Sequence, residues 1–256
     1  MWRKLRIAIL LFVLATVAQQ AWLSERDLDW GDNFYVALYP VNSDDSPAVA
    51  SYIETLTPEQ FDPLTEYFAS EAQRYGLTQY HPFEIQLGAS VNSHPPMPPR
   101  SASTLQAVWW SLQFRWWSWR HSPEMRVKPK IRLYLLYHDP DKVKALSHST
   151  ALSKGRVGLV NLYGDAAADE QNMVIIAHEL LHTVGATDKY DPASNQPLFP
   201  DGFAEPDQQP RYPQQSAELM AGRIAVSASQ AEIPQDLSET SIGSTTAREI
   251  QWLKTK

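Results

Sequence analysis

The sequence predicts one domain of mixed α/β (α+β) class, with a mixed sheet and helices in its first half and a loop-rich second half. Three observations predict it. Apolar strand patterns alternate with longer helical patterns between residues 34 and 184. The residues from 192 to 212 are rich in Pro, Gln, Asp and Asn, which favours loops. A chain of 256 residues with 43% hydrophobic residues suits a single core over residues 31–256, after an N-terminal targeting segment at 1–30.

The elements follow from residue patterns in chain order. Runs of apolar and aromatic residues predict strands at 34–40, 83–87, 131–137 and 157–163. Helical patterns predict one or two helices over 46–75, interrupted near Pro58 and ended by Gly76, and further helices over 101–120 and 171–184. Thr246 and Glu249 have the spacing of a capping box, so a last short helix is expected over 246–253.

The helix predicted at 171–184 carries the most informative motif of the chain. His178 and His182 are four residues apart, so both imidazoles lie on one helix face and can bind a single zinc ion. Glu179 points to the same side and can take a proton from a zinc-acidified water. Gly185 then ends the helix, and Asp188 can return as a third ligand. The pattern favours a catalytic zinc site over an ordinary amphipathic helix.

This stretch resembles the metzincin clan of zinc endopeptidases, whose pattern is HExxHxxGxx followed by His or Asp. The resemblance implies that His178, His182 and Asp188 are zinc ligands and that Glu179 is the catalytic base. It also implies a sheet-and-helix upper half that contains the zinc helix, and a loop-rich lower half closed by a C-terminal helix.

Aspartate in the last position resembles the snapalysin type, and it leaves the third ligand open. Tyr190 and Asp191 follow Asp188 directly and are alternatives. Glu205 is a further alternative, because gluzincin-type sites use a downstream Glu. Those Glu residues lie on a helix, whereas Pro206 follows Glu205 and favours a loop.

The clan also has a methionine turn beneath the metal. Met220, in the segment from Glu218 to Gly222, is the candidate because it lies downstream of the ligands and is followed by Gly. Packing in the core is the alternative role for Met220.

The chain also resembles a group of uncharacterised bacterial membrane-anchored proteins with metalloprotease motifs. The shared segments are HELLHTxGAxDKYD, GFAEP and AExMAGR, found here at His178–Asp191, Gly202–Pro206 and Ala217–Arg223. The resemblance implies no particular substrate.

The N-terminus predicts export. Basic residues at 3, 4 and 6 precede an apolar run over 7–18, and acidic residues follow it, so the N-terminus is expected in the cytoplasm. The run is either a cleaved signal peptide or an uncleaved inner-membrane anchor, and the poor cleavage pattern favours the anchor. The chain has no cysteine and no Asn-x-Ser/Thr site, which favours a bacterial envelope, with the domain periplasmic, or secreted after cleavage.

Two further patterns concern the surroundings of the site. The stretch 155–161 precedes the zinc helix and is expected to form the edge strand that pairs with substrate, although its glycines also suit a bulge or turn. His148 lies near this stretch and is a candidate substrate contact. The helix at 101–120 carries five tryptophans, and the spacing of Trp109 with Trp116 and of Trp110 with Trp117 predicts a helix buried against the sheet. A membrane-surface platform is the alternative.

The sequence therefore predicts an exported zinc-dependent endopeptidase that acts on peptides or proteins. A net charge of −7, with no clustered basic surface of the kind that phosphate binding needs visible after residue 7, argues against a nucleic-acid partner. The alternative is a catalytically silent, zinc-stabilised envelope scaffold or binding protein. Glu179 counts against that alternative, because a scaffold does not need a base beside its ligands.

Overall fold

A computed structural model describes residues 30–78, 81–99 and 103–253, together with Arg6 and Leu28. The predicted signal or anchor over 7–18 lies outside these residues. Within the described part of the chain, none of the helices combines the length and apolar character that crossing a bilayer requires.

The core of the domain is a five-stranded mixed sheet in the order β2-β1-β3-β5-β4. Four strands are parallel, and the short β4 pairs antiparallel with β5 at one edge. A mixed sheet is therefore confirmed. The strands are β1 (Phe34–Asn42), β2 (Phe83–Leu87), β3 (Ile131–His138), β4 (Thr150–Leu152) and β5 (Val157–Tyr163).

Helices cover both faces of this sheet. Tyr137 and Val160 belong to the face that packs with the core of α1, α2 and α4, whereas Tyr134 and Leu159 pack with α3. The predicted helices before residue 184 are confirmed, including the interruption after Thr55. The helices are α1 (Pro47–Thr55), α2 (Asp62–Arg74), α3 (Thr104–His121), α4 (Asp169–Thr183) and α5 (Ser244–Glu249).

The last helix corrects a prediction. It begins at Ser244 with Gly243 as its N-cap, and Thr246 does not cap it. Thr246 is fully buried, and its hydroxyl donates a 2.6 Å hydrogen bond to the carboxylate of Glu218. The Thr246 hydroxyl therefore bonds to a residue distant in sequence and does not form the capping box that the local pattern predicted.

The prediction that all four paired tryptophans face the sheet is half wrong. Trp110 and Trp117 are buried beside Phe114, but Trp109 and Trp116 are 64% and 62% exposed. Residues 109 and 110 point about 100° apart on a helix, so one sheet cannot cover both pairs.

The prediction that residues 155–161 form the edge strand is also wrong. β5 lies between β3 and β4, and β4 occupies the edge. Gly155 and Arg156, with φ of 95° and 48°, belong to the turn of the β4–β5 hairpin. Three residues are too few to show a strand pattern, so the sequence did not reveal β4.

The chain after Thr183 is irregular, as predicted. It contains four strands of two residues each, paired as β6 with β9 and β7 with β8. These strands are β6 (Ala217–Glu218), β7 (Ile224–Ala225), β8 (Ala231–Glu232) and β9 (Thr240–Ser241).

Candidate metal centre

Helix α4 carries the motif residues and packs firmly against the sheet. Acidic residues Asp169 and Glu170 lie in its first turn, where they complement the helix dipole. Ile176 and Leu180 on its inner side are fully buried under the sheet. Gly185, with φ of 103°, takes the left-handed conformation that ends the helix.

Three side-chain atoms converge beside this helix. The Nε2 atoms of His178 and His182 are 3.0 Å apart, and Asp188 Oδ1 is 3.2 Å from each of them. Tetrahedral zinc with ligands at about 2.0–2.1 Å places neighbouring ligand atoms roughly 3.3 Å apart. The observed separations therefore suit three ligands of one ion.

Main-chain carbonyls fix which imidazole nitrogen faces that point. His178 Nδ1–H donates to the carbonyl oxygen of Leu219 at 2.9 Å, and His182 Nδ1–H donates to that of Ala186 at 2.8 Å. A carbonyl only accepts, so in each neutral ring the proton is on Nδ1 and the Nε2 lone pair is free. Two lone pairs and a carboxylate meeting at one point repel each other unless a cation lies between them.

The pKa shifts indicate that the cluster favours added positive charge. Burial raises the pKa of Asp188, but the nearby imidazoles of His178 and His182, which become donors to it once they are protonated, outweigh burial and lower that pKa below its usual range. Burial lowers the pKa of His178, but the Asp188 hydrogen bond and the charge of Glu179 raise it overall.

Glu179 belongs to the same cluster. Its carboxylate and the ring nitrogens of His178 and His182 lie within 4.8 Å of one another, a group that could hold a metal ion. Asp188 Oδ1, at 3.2 Å from Nε2 of each histidine, lies beside the same group. Glu179 Oε2 is buried with no hydrogen-bond partner, and burial raises the pKa of this carboxyl.

The turn that carries Asp188 is held by a buried lysine. The ammonium of Lys189 donates to the carbonyl of Thr187 at 2.7 Å and to Glu249 Oε2 at 2.8 Å. Glu249 also accepts from the main-chain N–H of Thr187. The main-chain N–H of Lys189 donates to the carbonyl of Met220. These contacts fix the main chain on both sides of Asp188.

Met220 lies in a turn over residues 219–222 and is fully buried. The turn is tied to the helix through the Leu219 carbonyl that accepts from His178. Glu218, also fully buried, accepts from the main-chain N–H of Ala221 and of Gly243. Met220 therefore lies next to the residue that orients the first histidine.

Of the alternative third ligands, Asp191 and Glu205 make contacts elsewhere, whereas the Tyr190 hydroxyl hydrogen-bonds to Asp188. Asp191 accepts from the Ser194 hydroxyl at 2.6 Å and from the Ala193 N–H, so it closes a local turn. Glu205 is exposed, and its main-chain N–H is bound by Gln214. Tyr190 borders the cavity beside Glu179, and burial raises the pKa of its hydroxyl.

A cavity of about 360 Å³ opens beside the cluster. His178 and Glu179 form part of its wall, together with His148, the candidate substrate contact. Asn161, from the stretch expected to pair with substrate, and Arg223, from the shared segment at 217–223, also line the cavity. The sequence did not single out three further lining residues, Tyr163, Val174 and Asn195.

Comparisons with known proteins identify no family. No protein-family model matches the chain, and neither does any curated protein. Among solved structures, 47 chains are matched. One of them, described as the structure of a chaperone-substrate complex, is 16% identical over 75% of this chain, with a TM-score of 0.37, and this chain spans 31% of its length. A likeness at that score carries no argument.

Proposed function

We propose that this protein is a zinc-dependent endopeptidase of metzincin-like arrangement, with His178, His182 and Asp188 as ligands and Glu179 as general base. The observation that carries the proposal is the unpartnered, buried carboxylate oxygen of Glu179 beside the three converging ligand atoms. A buried oxygen without a donor is costly, and a substrate-side water supplies that donor.

A bound zinc ion supplies Lewis-acid chemistry, since it acidifies water and polarises a carbonyl. Glu179 accepts the proton of the attacking water, and its raised pKa makes it a stronger base for that step. Glu179 then passes the proton to the leaving amine. Leu219 and Ala186 hold the two imidazoles in one tautomer throughout.

The edge of the sheet favours an extended peptide as substrate. β4 pairs with β5 on one side only, and the residues just before it, Ser147 to Ser149, line the cavity. Main-chain groups at a strand edge can pair with an extended chain and lead it past Glu179. We therefore propose that β4 takes the substrate role that the sequence assigned to 155–161.

Export, and anchoring through the apolar run at 7–18, belong to the same proposal, with the domain on the periplasmic side. The silent scaffold remains the second candidate function. A scaffold would use the same metal cluster but would catalyse nothing, so a substitution of Glu179 would change no reaction rate.

A glutamine substitution tests the proposal. Glu179→Gln removes the base and keeps the ligands, so zinc content should stay at one per chain while hydrolysis of a peptide library falls by about 10²–10⁴-fold. Glu170→Gln, an exposed change on the same helix, is the matched control and should retain full activity. Equal cleavage by the parent and Glu179→Gln contradicts the mechanism, and zinc binding without any cleavage by the parent supports the scaffold.

A further inference from the structure

The outer side of α3 is an exposed apolar stripe. At 100° per residue its members lie within about 100° of one another, opposite the buried Trp110, Phe114 and Trp117. The stripe runs for roughly 21 Å along the helix. Soluble monomers rarely expose a continuous apolar patch of this kind without a partner. The stripe residues are Leu105, Val108, Trp109, Leu112, Trp116 and Trp119.

Basic side chains border this stripe, although the chain as a whole is acidic. Between residues 103 and 138 the sequence has six Lys or Arg residues, and Glu124 is the single acidic residue. Arg115 and Arg120 lie on opposite flanks of the stripe, by the same helical angle. Arg115 packs against the turn at Gly155, where Lys154 is exposed. The stripe therefore combines aromatic side chains with a positively charged rim.

Lys130, in the segment that joins α3 to β3, lies beside the start of β1, close to Trp30. The main-chain N–H of Lys130 donates to Tyr35, and the Lys130 ammonium is 4.6 Å from the ring centre of Phe34, at the start of β1. Trp30 packs on Phe34 from the preceding chain. Residues 19–29 separate Trp30 from the apolar run, so an anchored domain stays within about 40 Å of the bilayer.

We propose that this face of α3 docks on a bilayer surface that carries anionic headgroups. Tryptophan favours the membrane interface, where its ring enters the apolar boundary and its N–H stays hydrated. Arg115 and Arg120 then meet lipid phosphates on both flanks. A second copy of this chain is a poorer occupant, because a two-fold interface would bring the two basic rims together.

Docking in this way orients the domain. The sheet lies between α3 and α4, so the helix that carries Glu179 is separated from the bilayer by the sheet. The proposed peptidase would therefore act on water-soluble polypeptides near the membrane, and not on chains within it. The docking itself depends on α3 and the anchor, and it does not depend on the metal.

The absence of cysteine permits a site-specific test with the full-length chain. Leu112→Cys places an environment-sensitive fluorophore on the stripe, and Ser70→Cys places the same fluorophore on exposed α2, across the sheet. Each labelled protein is added to vesicles of phosphatidylglycerol and phosphatidylcholine, and flotation confirms attachment. The label at position 112 should shift to shorter wavelength and lose about half its emission to brominated lipid, as an interfacial site would. The label at position 70 should do neither.

Charge reversal of the rim provides the second arm. Arg120→Glu with Lys154→Glu should lower the shifted fraction at position 112 by about tenfold on anionic vesicles. If the protein floats with the vesicles but the label at position 112 stays in water, the chain is anchored without docking. That result overturns the proposal. A label shifted equally without vesicles, in a chain that sediments as a dimer, overturns it in favour of a second copy.

Discussion

The two halves of the molecule share one apolar core but differ in their secondary structure. The sheet half, residues 34–183, buries long rows of apolar side chains on both faces of the strands. The half after residue 183 has strands of only two residues, adds side chains such as Met220 and Ile250 to the same core, and also buries the polar residues Lys189, Gln214 and Glu218. Loss of an apolar side chain leaves a cavity, whereas a buried polar group is costly once its partner is lost.

The candidate metal centre combines the two kinds of support. His178 and His182 project from an apolar-packed helix, whereas Asp188 depends on the polar contacts of Lys189. The carbonyl of Leu219 crosses from the irregular half to orient His178. In the proposed function, a zinc ion would join a helix of the sheet half to a turn of the irregular half.

The largest effect is expected from His182→Ala. The variant should lose zinc and with it the stabilisation that a ligand of the folded state provides. Hydrogen exchange should rise more than about tenfold in residues 184–225, with little change in β1 and β3, because their protection comes from apolar burial. Equal acceleration in both halves would show that the halves do not differ, and an unchanged zinc content would eliminate the site.

The next effect separates the ligand candidates. Asp188→Ala should weaken zinc binding by more than about 100-fold, since it removes one of three ligands. Asp191→Ala is the matched control and should change it little, because Asp191 closes a local turn. Asp188→His should restore binding. Competition with a chromophoric chelator measures all three, and metal loss in Asp191→Ala alone would show that the turn is misassigned.

Glu218→Gln should have the smallest effect of the three. The new amide N–H would oppose either the Ala221 N–H or the donors from Gly243 and Thr246. The expected loss in the free energy of unfolding is about 1–3 kcal/mol. Glu205→Gln, exposed in the same half, should lie within about 0.5 kcal/mol of the parent. Urea unfolding compares them, and equal stabilities would mean that polar contacts do not hold this half.

The sequence predicted the sheet half well because its periodicity reports burial directly. Strands β1, β2, β3 and β5 and the break between α1 and α2 follow from such patterns. β4 escaped prediction because three residues are too short for a pattern. The outward turn of Trp109 and Trp116 escaped because periodicity shows which side chains share a face, and not which face meets the sheet.

The candidate site was likewise predictable only where a local pattern determines the geometry. His178, Glu179 and His182 are brought together as helix spacing requires, and Asp188 lies where the turn after Gly185 returns the chain. The carbonyls of Leu219 and Ala186 and the Lys189–Glu249 pair were not foreseeable. Each depends on contacts between segments that no local pattern encodes.

The most direct test of the central claim is a crystal structure of the zinc-loaded protein with anomalous data at the zinc edge. The account predicts one peak, about 2.0–2.1 Å from Nε2 of both His178 and His182 and about 2.0–2.2 Å from an Asp188 oxygen. Glu179 should remain outside that shell and contact a bound water. A peak ligated by Glu179 in place of Asp188, or no peak between the two histidines, would contradict it.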